Sequence, residues 1–199
     1  MRRKFLAGGL ALVGAGLVSG GIKAQETGAS LTRVRLVSGM GSIVLDLETE
    51  RAPKTAKNFL RYVDLRKLDK NAFYRAMPNG EGRGLIQAGD TRRALPSIAH
   101  EPTTQTGLSH RDGTISLVRG AVGSGCSDFF ICVGDMTFLD AGGGGTSDNL
   151  GFAAFGHVVE GMDVVRAILA APVSATEGSS SMMGQMLSPR VPILTTRRC

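Results

Sequence analysis

A chain of 199 residues with 42% hydrophobic and 20% charged residues has the size and composition of one folded domain, which excludes a disordered tract or a long multidomain array. The 28 glycines suit a loop-rich β protein better than a helical bundle, because glycine weakens helices and serves tight turns. The formal net charge is +6 with no clustered basic face, which argues against a nucleic-acid partner, and three cysteines are too few for a disulfide-rich scaffold.

The first segment reads as an export signal. Arg2, Arg3 and Lys4 form a positive head, residues 5–18 are apolar without a charge or a proline, and Ile22-Lys23-Ala24 offers a cleavage site before Gln25. The apolar run is shorter than the about 20 residues that span a bilayer. The expected organisation is therefore a signal peptide over 1–24, a flexible leader over 25–32 and one domain over 33–199. The mature protein should lie in the periplasm without stable membrane insertion. Arg2-Arg3-Lys4-Phe5-Leu6 also resembles the twin-arginine export motif, and these residues leave that route and the general secretory route both open. Four of the 23 basic residues and none of the 17 acidic ones lie within 1–24, so the remainder carries only +2.

Beyond the leader, Arg33-Val34-Arg35-Leu36-Val37 alternates as a half-buried strand, residues 38–42 supply a turn, and Ile43, Leu45 and Leu47 repeat at period two. This predicts an opening hairpin. Pro53 then fits a first helical turn, and Ala56, Phe59, Leu60 and Val63 form one apolar stripe, with Arg51, Lys54, Lys57 and Arg61 left for solvent. Residues 73–76, 84–87, 114–118 and 129–133 are short strand candidates, and the four glycines 142–145 open a surface loop. A further strand over 152–159 meets Gly161, the start of a second helix that buries Met162, Val165, Ile168 and Leu169. Residues 174–189 read as an ordered or semi-ordered excursion. Val191, Ile193 and Thr195 make a last strand placed to pair with the first and close the sheet. Many short strands with one helix near each end predict a closed barrel plugged by helices. The absence of regular β/α alternation argues against a doubly wound fold.

Several segments, in order, resemble the cyclophilin family of peptidyl-prolyl cis-trans isomerases. They are Arg51-Ala52-Pro53-Lys54-Thr55-Ala56-Lys57-Asn58-Phe59, Phe73-Tyr74-Arg75, Leu85-Ile86-Gln87-Ala88-Gly89-Asp90, Gly113-Thr114-Ile115-Ser116-Leu117-Val118-Arg119, Ser127-Asp128-Phe129-Phe130-Ile131, Phe138-Leu139-Asp140 and the run from Phe155 to Asp163. Arg119 and Phe138 resemble the bacterial exported branch. The resemblance spans about Val34 to Ile193. It implies an all-β fold, a closed eight-stranded antiparallel barrel capped by two helices, with an extended X-Pro peptide lying in a groove on the barrel's outside.

Such chemistry uses no cofactor, metal, nucleophile or general base. Twisting the prolyl amide breaks its conjugation against a barrier of about 18–20 kcal/mol, and a donor aimed at the nitrogen as it becomes basic lowers that barrier. By resemblance Arg75 is this catalytic donor, and Gln87 orients it or binds substrate backbone. Phe130, Leu139 and Leu85 wall the proline pocket with Phe138 on the rim. Arg119 either contacts substrate or pairs with Asp128 at the groove edge.

Two positions depart from the family. Gly84 stands where a phenylalanine helps enclose proline, so Arg83 or residues 77–82 are expected to fill the gap. Asp128 stands where glutamine binds substrate backbone. An ionised aspartate only accepts hydrogen bonds, so it is expected to restrain Arg75 and to favour clients presenting a donor or a positive charge. Tyr74 and Phe152 also differ from common family residues but keep a ring. The alternative that Gly84 suggests is a weakly active or inactive chaperone-like module that binds proline peptides. His157 reads as structural, and Cys126 as packing close to the groove.

Overall fold

The structure is a computed structural model, and it describes Met1, Arg92, residues 31–90 and residues 94–199. The export signal and most of the leader lie outside the described residues. Strand β1 (Leu31–Ser38) pairs with β2 (Gly41–Glu48), so the domain begins two residues inside the segment assigned to the leader. The register sets Val34 opposite Leu45 and Leu36 opposite Ile43, and all four are fully buried.

Helix α1 (Pro53–Asp64) follows with Pro in its first turn, and its apolar stripe is buried as the spacing predicts. No residue of its own caps its N-terminus. The fully buried Glu101 does so from a distant loop, accepting from Lys54 N at 3.1 Å and from Thr55 N and Oγ1 at 2.7 Å.

The remaining strands are β3 (Ala72–Pro78), β4 (Gly84–Ala88), β5 (Thr114–Leu117), β6 (Phe129–Val133), β7 (Ala153–Glu160), β8 (Val173–Ser174) and β9 (Met186–Arg198). Eight of them run in the order β1-β2-β7-β5-β6-β4-β3-β9, each pair antiparallel, and β1 pairs with β9 to close the barrel. The two-residue β8 lies outside the ring, on β9. The interior is filled by Leu36, Ile43, Leu45, Phe73, Ile86, Ile131, Phe155 and their neighbours. One end is plugged by α1, whose Phe59 meets Phe129 edge-on at 5.3 Å. The other is plugged by α3 (Met162–Leu169), which buries Val165 and Ile168. A single helical turn, α2 (Thr103–Thr106), is added between strands. Among the described residues no helix is long and apolar enough to cross a membrane.

Closure differs from the sequence reading in one respect. Val191 and Ile193 point inward, but the next buried side chain is Thr196, and Thr195 is exposed. Opposite Val37 and Ser38 the register skips Leu194, and this bulge reverses the alternation. Arg197 and Arg198 then tie the strand to Asp69 and Asp64, at 2.8 and 2.7 Å, and hold both carboxyls below their ordinary range.

Candidate active site

Strands β4, β5 and β6 are buried on both faces, and β3 is buried on its inner face and half-buried on its outer one. Phe73, Ile86, Ile115, Phe129 and Ile131 fill the barrel, while Arg75, Met77, Leu85, Gln87, Ser116, Phe130 and Cys132 project outward. Register brings the outward set together: Arg75 lies opposite Gln87, Gln87 opposite Phe130, Met77 opposite Leu85, and Leu85 opposite Cys132. Met136 and Leu139 cover this face, forming a second apolar cluster with Leu85, Phe130 and Cys132, against which Met77, Val118 and Phe152 pack. Phe130 is 2% exposed and meets Phe152 edge-on at 5.4 Å.

A bulge re-aims β3 beside this cluster. Between Phe73 and Arg75 the pairing with β4 and with β9 both slip, so Tyr74 and Arg75 both turn outward. The Arg75 guanidinium is held by two neutral amides. Its Nε and Nη2 donate to Gln185 Oε1 at 2.9 and 2.6 Å, and its Nη1 donates to Gln87 Oε1 at 3.0 Å. Nη2 also donates to the Met77 sulfur at 3.3 Å. An arginine has five N–H donors, so these bonds leave one hydrogen of Nη1 uncommitted. Gln87 Nε2 donates to the Tyr74 hydroxyl, which donates to Asp128 Oδ2 at 2.7 Å. Burial, and then the Asp128 carboxylate, raise the Tyr74 phenol far above its usual range, while burial lowers the Arg75 guanidinium.

Beneath Phe130 lies His110, stacked on its ring at 5.7 Å. His110 Nδ1 is 2.5 Å from Asp140 Oδ1, and Nε2 is 2.8 Å from Ser116 Oγ. The order Ser, His, Asp is that of a nucleophilic triad, but His110 and Ser116 are fully buried and no substrate reaches the hydroxyl. The relay fixes the floor under Phe130, and burial lowers the imidazole's proton affinity.

The structure places the expected residues unequally. Arg75, Gln87, Leu85, Phe130 and Leu139 converge on the outer face of β3, β4 and β6. Phe138 lies in the 3-10 turn Thr137–Leu139, 38% exposed, at the edge of that face. Gln87 bonds Arg75 through its oxygen and Tyr74 through its nitrogen, and only 4% of the residue is exposed.

Arg119 does not pair with Asp128. It forks Asp148 at 2.7 and 2.8 Å, donates to Gly151 O at 2.8 Å and lies over Phe152, thereby anchoring the glycine-rich loop. This hydrogen-bonded fork pushes the Asp148 carboxyl far below the usual range. Asp128 does not touch Arg75. Its oxygens accept from Tyr74 and Ser127, and it reaches the guanidinium only through Tyr74 and Gln87.

Gly84 is not a gap in the pocket. A Cβ there would stand 2.3 Å from Met77 O and 3.1 Å from Leu169 Cδ1, so it points at the strand and α3 rather than at proline. Met77, from the stretch expected there, packs with Met136 beside Leu85 and Phe130, and the Arg83 stem lies against Gly134. His157 is exposed on β7 opposite Asp46, and Cys126 is half-buried with its carbonyl accepting from Asn58 Nδ2. Met136, His110 and Gln185 went unnoticed in the sequence. Only Gln185 carried no signal, sitting in the Ser- and Met-rich excursion.

Residues 33–196 match the family model described as cyclophilin type peptidyl-prolyl cis-trans isomerase/CLD. The chain is 32% identical over 161 residues to a peptidyl-prolyl cis-trans isomerase of Acinetobacter baylyi, covering 79% of this chain and 82% of that protein. It is 35% identical over 136 residues to isomerase A of Dickeya dadantii, covering 67% and 68%. Its fold matches a cyclophilin-type isomerase of Cryptosporidium parvum, solved in the presence of the dipeptide Ala-Pro, with TM-score 0.68 and 17% identity over 84% of this chain and 98% of that one. A closed eight-stranded barrel, an outward arginine beside a buried phenylalanine, and a family match over nearly the whole domain agree: this chain belongs to the cyclophilin-type peptidyl-prolyl cis-trans isomerases.

Proposed function

We propose that the chain isomerises X-Pro bonds of exported or unfolded proteins in the periplasm, with Arg75 as the catalytic donor. The observation that carries the residue assignment is the guanidinium held by two uncharged amides next to the Phe130 cluster. Neutral acceptors fix its direction without cancelling its charge, and one Nη1 hydrogen is left for the substrate. The prolyl ring packs against Phe130, Leu85, Leu139 and Met77, and Phe138 lines the entry. As the amide twists, its nitrogen lone pair localises and accepts from Nη1. That interaction grows only in the transition state, so it speeds the chemistry rather than tightening binding. The export reading rests on the basic head and apolar run within residues 2–18.

In a protease-coupled assay on a neutral X-Pro peptide, Arg75→Ala should lower kcat about a hundredfold with little change in KM. Arg75→Lys should not restore it, since an ammonium lacks the planar fork. Undiminished kcat in Arg75→Ala would remove Arg75 from this role. Intact-mass analysis of the periplasmic fraction should find a chain beginning near Gln25, whereas a full-length membrane-bound species would overturn the export reading.

A further inference from the structure

The bulge at Tyr74 has a counterpart on β9. Phe73 lies opposite Val191 and Arg75 opposite Met186, so β9 spends four residues, Leu187 to Arg190, where β3 spends only Tyr74. Beside this departure is a cavity of about 710 Å³, with Tyr74, Asp128 and Met186 on its lining. It therefore adjoins the Arg75 site, since Tyr74 neighbours Arg75 and bonds Gln87.

The charges around this cavity are unevenly satisfied. On the side of β4 and β6, Asp90 is held by Arg92 at 3.0 Å, and Asp128 accepts from Tyr74 and Ser127. On the side of β3 and β9, Lys70 and Arg190 line the cavity, both exposed and neither in an ion pair or side-chain hydrogen bond among the described residues. Two uncompensated cations thus face a space large enough for a side chain, a few residues' reach from the reacting bond. The committed Asp128 is a poor receiver for a client cation.

We infer that this cavity is a second subsite, which takes an acidic side chain of the client peptide flanking the X-Pro bond and gives the isomerase a preference for acidic clients. The inference rests on the isomerase reading and reverses the preference that Asp128 alone suggests.

The test uses peptides with one X-Pro bond, placing Glu, Gln or Lys at each position from three before to three after the proline. Both kcat/KM and peptide Kd by NMR titration are measured. At low salt, Glu should exceed Gln by about fivefold in at least one position, a size suited to exposed ion pairs. That ratio should fall to about one in the Lys70→Gln/Arg190→Gln protein. It should do the same for the unsubstituted protein in 1 M NaCl, where the Debye length is about 3 Å. Equal Glu and Gln peptides, a preference for Lys, or a Glu preference that survives the double substitution would each overturn the subsite. Failure of the isomerase reading has a separate signature, the unsubstituted protein leaving exchange in the Gln peptides unaccelerated, and the Kd comparison decides the subsite even then.

Discussion

The Arg75 guanidinium is held by neutral acceptors with one Nη1 hydrogen uncommitted, as the proposed donor role requires. A carboxylate would orient a guanidinium as well as an amide does, but would also draw off the charge needed at the twisted nitrogen. The nearest acid of this network, Asp128, is set three hydrogen bonds away through Gln87 and Tyr74. Gln185 supplies two of the contacts and comes from 110 residues down the chain. Gln185→Ala should lower kcat about tenfold at unchanged KM, a loss of orientation near 1.4 kcal/mol. Gln185→Glu should also be slow at neutral pH, and should recover only as the pH falls below the ordinary glutamate range of about 4.3, because the guanidinium favours the ionised carboxylate. A residue that only supported the fold would not give that pH profile, and unchanged kcat in Gln185→Ala would contradict the positioning role. Arg75, Gln87 and Phe130 were legible in the sequence because they sit in short ordered motifs. Gln185 was not, because no local pattern records which loop residue will fold back onto a distant strand.

Among the elements, β4 and β6 show why the site is firm. A strand buried on both faces reads as a continuous apolar run, and residues 129–133 have that form. The inward residues hold the barrel, and the outward ones build the pocket, so one backbone serves both. The same geometry resolves Gly84, where the resemblance alone suggested a missing ring and the direction of a side chain does not lead to the pocket. A side chain at Gly84 meets the backbone of β3 before it could reach the pocket. Gly84→Phe should therefore destabilise the protein by about 1–3 kcal/mol, seen as a lower urea midpoint, without raising kcat/KM. A stable variant with faster catalysis would show that the pocket does lack a ring. Bulges account for the other misread element, β9, since one skipped residue at Leu194 moves every later side chain to the opposite face.

At the scale of the whole molecule, closure of the barrel leaves its outer surface as the place for a substrate, because the interior is filled and both ends are plugged. A closed barrel plugged by the first and last helices could be read from periodicity and order, and its eight-strand count from the family resemblance, while Met162 and Leu169 of the last helix are half-buried rather than buried. The excursion after α3 could not, and it supplies both Gln185 and the β9 departure that forms the acidic-client cavity. Site and cavity thus meet at one seam, where β3 and β9 fall out of step. In the proposed function this seam and the Phe130 cluster together catalyse rotation about a prolyl bond rather than merely hold it. Two-dimensional exchange NMR on a neutral X-Pro peptide, with a small molar fraction of the intact protein, tests it most directly. Cis–trans cross-peaks should appear with the protein present and be lost when Arg75→Ala replaces it. Peptide resonances that shift on binding while exchange stays at the uncatalysed rate would contradict it.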